Sequence, residues 1–127
     1  RLTEPAYSDT MAVALAETLS HLQAVARSRA AKVAMWEAEV RAKLPAAAAL
    51  LRAEFGATDI YLFGSLAGGK PHERSDVDIA TLGIAAKDES RVWNTLEEIF
   101  GCPVDLVRIE SAPESLLGVV RLYGEPL

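Results

Sequence analysis

The stretch FGSLAGGKPHERSDVDIA, residues 63–80, sets a glycine-serine pair after one apolar run and two aspartates, Asp76 and Asp78, at the front of the next. That second run, Val77, Ile79, Ala80 and Leu82, reads as a buried strand, where unpaired charge is costly. Alternate residues of a strand point to one side, so Asp76 and Asp78 are expected to project together, with Val77 and Ile79 entering the opposite face. Two carboxylates held that close repel unless a cation lies between them or one is protonated. Magnesium and manganese suit such an oxygen-rich pair, because they bind through a few carboxylates, water and substrate phosphates.

Gly64 and Ser65 directly follow the strand Ile60–Phe63. Glycine lets a backbone approach an anion, free N–H groups can point at it, and the serine hydroxyl adds a donor, so a phosphate site is one reading and a plain tight turn is the other. Gly64, Gly69 and Lys70 also match the first seven positions of GxxxxGK[ST]. Pro71 stands at the eighth. It has neither the hydroxyl that would hold magnesium nor an N–H for phosphate, and KPHERS lacks the apolar periodicity of the helix that must follow, so that motif is rejected. A third carboxylate, Asp105, lies inside another apolar run, VDLVRI. Any one of the three aspartates could be a strand-edge residue meeting water. All three on neighbouring strands beside a phosphate-type loop would make a two-metal site.

Working outward, Ile60–Phe63, Val77–Leu82 and Pro103–Ile109 read as strands. Asp88 or Ser90 caps a helix through Phe100 with Val92, Leu96 and Ile99 on one face, and Pro113–Tyr123 is a last helix closed by Gly124. Upstream, residues 9–44 read as one long helix started by Ser8 or Asp9. Leu15, Leu19, Leu22, Ala26, Val33, Trp36 and Val40 recur at spacings of three and four, with Arg29 interrupting the seam. A helical hairpin, a long packing helix and a dimer seam all fit that pattern. Pro45 marks a kink or break, after which AAAALLRAEF forms a second helix ended by Gly56. The expectation is an α/β fold, a small mixed sheet flanked by helices with a long helical N-terminal extension. It forms one domain over residues 1–127, divided into an extension (1–45) and a core (46–127).

The chain has 127 residues, half of them hydrophobic, which is enough for one sizeable core. The lone cysteine, Cys102, rules out an intramolecular disulfide framework or a multi-cysteine zinc site, reads as a small packed thiol, and fits a reducing cytosol. No run approaches a membrane span and no signal-peptide pattern opens the chain, so a cytoplasmic protein without membrane attachment is expected. The formal charge of −5 argues against strong nucleic-acid binding. Arg27, Arg29, Lys32, Arg41 and Lys43 gather against Glu37 and Glu39, as a solvated helix face does; a docking surface for an acidic partner is the alternative. His21 reads as a surface or packing residue, and His72 as a solvated histidine, with assistance in the loop as the alternative.

Taken together, Gly64-Ser65, Ser75-Asp76-Val77-Asp78 and a later strand bearing Asp105 resemble the minimal nucleotidyltransferases of the DNA polymerase beta superfamily, over residues 46–127. The resemblance implies that Gly64 and Ser65 bind the triphosphate of ATP and that Asp76 and Asp78 hold two magnesium ions, or manganese, with Asp105 completing the metal site. Many members carry an arginine before the second glycine of the loop, where this chain has Gly68. Triphosphate binding is therefore expected to draw on Lys70 or Arg74, or to be weak. The implied activity is transfer of a nucleoside monophosphate, AMP, to an acceptor. Small stand-alone members resemble the antitoxin halves of toxin-antitoxin pairs, so the implied partner is a HEPN-type toxin, with a homodimer through the N-terminal helix as the other arrangement. A catalytically silent antitoxin acting by contact alone is the alternative function.

Overall fold

The computed structural model describes residues 3–127, with side chains from residue 9 onward. The chain divides into two compact units, Arg1–Ala34 and Met35–Leu127. Helix α1 covers Thr3–Phe55 and carries Pro45 inside it. Ser8 and Asp9 thus lie within the helix rather than at its cap, and the break expected at Pro45 does not occur. The reason is tertiary. A proline inside a helix costs about 3 kcal/mol, whereas Val40, Leu44, Ala47, Ala48 and Leu51, on both sides of it, are all buried in one core. Each large aliphatic side chain in that row contributes about 1.5–3 kcal/mol, so the row as a whole outweighs the local defect.

Gly56, in the left-handed region at φ 75°, stops α1 as expected, and the Ala57 N–H reaches back to the Leu51 carbonyl at 3.1 Å. There follow β1 (Asp59–Phe63), the short helix α2 (Gly64–Ala67), β2 (Val77–Leu82), α3 (Glu89–Phe100), β3 (Val104–Arg108), α4 (Glu114–Tyr123) and β4 (Glu125–Pro126). The sheet order is β3-β2-β1-β4. Strands β1 and β2 are antiparallel, β2 and β3 parallel, and β4 lies antiparallel to β1. The mixed α/β sheet expected from the sequence is present, with β4 as an addition. The parallel pair is joined by α3, since parallel neighbours need a crossover.

Side-chain alternation sorts the sheet into two faces. Ile60, Leu62, Val77, Ile79, Val104 and Leu106 pack with the α1 row and with Val92, Leu96 and Phe100 of α3. The other face carries Phe63 and Ala80 against Val120 of α4, with Tyr61, Val107, Ile109 and Leu116 around them. Asp78 shares this second face with Ala80, two residues along β2.

In the first unit, Leu15, Leu19 and Leu22 are 57–61% exposed. These three seam residues are therefore uncovered, whereas Val40, the last residue of the same pattern, is buried in the core of the second unit. No described helix is long and apolar enough to cross a membrane.

Candidate active site

Register brings the site together. Asp78 pairs with Phe63 of β1 on one side and with Asp105 of β3 on the other. The two carboxylates thus come from directly opposed positions of neighbouring parallel strands. Asp76 sits one residue before β2, where the Val77 N–H donates to the Pro103 carbonyl at 3.3 Å. Asp78 is half-buried, while Asp76 and Asp105 are exposed. Burial, then the charge of Asp105, then that of Asp76, push the Asp78 carboxyl up to about 6. Both neighbouring carboxylates act in the same direction, Asp105 more strongly than Asp76.

Gly64 follows the end of β1 with φ 73°, a region favourable to glycine. A Cβ built there would lie 2.1 Å from Asp78 Oδ2. The glycine therefore has a second reason to be one: it leaves the space that the Asp78 carboxylate occupies. This places the start of the Gly64–Ser75 loop against the Asp78 carboxylate.

The loop from Gly64 to Ser75 is tied by its own hydrogen bonds. Gly68 N–H donates to the Gly64 carbonyl at 3.1 Å and Lys70 N–H to the Ser65 carbonyl at 3.0 Å. The Ser65 hydroxyl donates to Ser75 Oγ at 2.8 Å, and so does the His72 N–H, also at 2.8 Å. Arg74 N–H donates to His72 Nδ1 at 3.2 Å. Lys70 and Arg74 thus help shape the loop through their backbones, with side chains at the surface. His72 is exposed as expected, yet its N–H and ring nitrogen both serve the turn.

Arg41 is not simply one cation of a solvated helix face. Its guanidinium donates to the Leu66 carbonyl at 2.8 Å and pairs with Glu125 at 3.1 Å and Glu37 at 3.3 Å. It joins α1, the phosphate-type loop and β4. Only Glu37, four residues away on the same helix, could have been anticipated. Cys102 is half-buried with its thiol pushed up by burial, a packed thiol and not an activated nucleophile.

Among the described residues, no three Asp, Glu, His or Cys side chains are gathered tightly enough to hold an ion unaided. The fit to a divalent cation lies in the donor chemistry. Asp78 and Asp105 are paired in register and Asp76 acts on Asp78 electrostatically, which leaves coordination for water and phosphate oxygens, the habit of magnesium.

Residues 48–126 match the family "Polymerase beta, Nucleotidyltransferase". The chain belongs to this family. Within this nucleotidyltransferase family, it is 37% identical over 71 residues to the protein adenylyltransferase MntA of Shewanella oneidensis, which covers 54% of this chain and 51% of the relative. The chain spans about half the length of that curated relative. A solved structure described as a minimal nucleotidyltransferase superposes with a TM-score of 0.64 at 28% identity, covering 72% of this chain and 95% of that one. A tri-AMPylated Shewanella oneidensis HEPN toxin in complex with MNT antitoxin matches with a TM-score of 0.55 at 26% identity, covering 68% and 70%. The family and its fold thus agree with what the loop and strand motifs implied.

Proposed function

We propose that this nucleotidyltransferase moves AMP from ATP to a hydroxyl on a partner protein, as the antitoxin of a HEPN-type toxin. The observation that carries the reading is the meeting of Gly64, Asp78 and Asp105: a glycine-serine loop approaches one of two carboxylates opposed in register. Asp76, Asp78 and Asp105 would hold magnesium or manganese, which supplies charge neutralisation at the phosphates and a more acidic acceptor hydroxyl. The Ser65 hydroxyl and the loop backbone bind the triphosphate, with Lys70 and Arg74 at the rim. The acceptor hydroxyl gives its proton to solvent, its oxygen bonds to the α-phosphorus as the bond from that phosphorus to the bridging β-phosphate oxygen breaks, and pyrophosphate leaves. The protein partner is supported by the neighbouring toxin-antitoxin complex, and the exposed Leu15, Leu19 and Leu22 seam offers an association surface.

The test is transfer of label from α-labelled ATP to a co-expressed HEPN toxin. Asp76→Asn with Asp78→Asn is expected to reduce transfer by more than about a hundredfold, since positioning and charge neutralisation supply most of the barrier reduction. Thermal melting should be retained. A wild-type chain that labels nothing, with a double variant that still neutralises the toxin, would establish the contact-only antitoxin instead.

A further inference from the structure

We propose that Ser75 is a positioning residue that turns the Ser65 hydroxyl toward a bound phosphate through a hydrogen-bond relay running from His72 through Ser75 to Ser65. The inference rests on the nucleotidyl-transfer reading above and deepens it. Ser75 Oγ lies 2.8 Å from both the His72 nitrogen and Ser65 Oγ. The His72 N–H can only donate, so it occupies one lone pair of Ser75 Oγ. Ser75 then keeps a proton of its own to give.

Two proton arrangements fit the same heavy-atom positions. In one, the Ser65 hydroxyl donates to Ser75. In the other, Ser75 donates to Ser65 Oγ, and the Ser65 proton is released to an anion. A phosphate selects the second arrangement. In it every donor polarises the next, so Ser65 becomes a stronger donor than an isolated hydroxyl. The exchange needs only two O–H rotations. Both ends are fixed by the backbone: Ser75 N–H donates to the His72 carbonyl at 3.0 Å, and the Ser65 carbonyl accepts from Lys70 N–H at 3.0 Å. Because Ser75 directly precedes Asp76, the relay also ties the phosphate loop to the carboxylate strand.

The experiment measures binding of a non-hydrolysable ATP analogue with magnesium to the full chain, for wild type, Ser75→Ala, Ser75→Thr, Ser65→Ala and the Ser65→Ala/Ser75→Ala double variant. Ser75→Ala is expected to weaken binding by about threefold to tenfold, and Ser75→Thr, which keeps the hydroxyl, to restore it. In the Ser65→Ala background, Ser75→Ala should add no further loss, because the relay has lost its terminal donor. Ser75→Ala binding as tightly as wild type overturns the relay. A full penalty that persists without Ser65 also overturns it and marks Ser75 as purely structural. Wild type that binds no nucleotide overturns the transfer reading and the relay with it, whereas the first two results leave that reading standing.

Discussion

Burial and two neighbouring carboxylates push the Asp78 carboxyl up to about 6, so the folded chain keeps this proton to a higher pH than the unfolded chain does. Between those two values the native state binds more protons, and stability falls as pH rises. That loss is complete above the folded value and absent near pH 3, where the carboxyl is protonated in both states. Asp78→Asn removes the charge and should melt about 2–5 °C above wild type at pH 7.5 without metal, the difference closing at low pH. Magnesium should raise the wild-type melting temperature at pH 7.5 and leave the variant's nearly unchanged, because an ion that binds only the native site stabilises it. Scanning fluorimetry from pH 3 to 8 checks both effects. A variant that melts below wild type at pH 7.5 would show that the carboxylate is stabilised in some other way.

Helix α1 shows how an element can override its own weakest residue. Pro45 removes one backbone donor and crowds the carbonyl four residues back, yet Val40 and Leu44 before it and Ala47, Ala48 and Leu51 after it share one buried core. Pro45 itself is exposed, so replacing it leaves the buried row intact. Pro45→Ala should therefore stabilise the chain by about 1–2 kcal/mol, the local helical gain less the entropy returned to the unfolded state. Urea denaturation measures it. An unchanged or lower midpoint would mean that the helix bends there at little cost.

For the whole molecule, the compact unit that holds the site begins at Met35, ahead of the proline that the sequence pattern used as a divider. A chain beginning at Met35 should keep a cooperative melt and nucleotide binding close to those of the full chain. One beginning at Pro45 loses the buried Val40 and Leu44 and the Arg41 tie to Leu66 and Glu125. The two buried aliphatic side chains cost about 2–5 kcal/mol each and the half-exposed Arg41 pair about 1 kcal/mol or less, against a total stability of about 5–15 kcal/mol for a domain. The shorter chain should therefore melt without cooperativity or not fold. Circular dichroism on both chains distinguishes the cases. Equal melts would place the α1 row outside the cooperative core.

The sequence by itself determined the local physics. Short apolar runs marked β1, β2 and β3, glycine ended α1 at Gly56, and charge inside apolar strands singled out Asp76, Asp78 and Asp105. Such signals lie within a few consecutive residues and survive without knowledge of the partner element. Tertiary structure alone decided the rest. The two-residue strand β4 has no periodicity to read and exists because β1 has an edge to pair with. Arg41 became a tie between α1, Leu66 and Glu125, partners that chain distance conceals. The space at Gly64 is reserved for Asp78, and Ser65 meets Ser75, because antiparallel pairing of β1 and β2 folds the intervening loop back on itself. Residue types fixed what each group can do; pairing register and packing chose which groups meet.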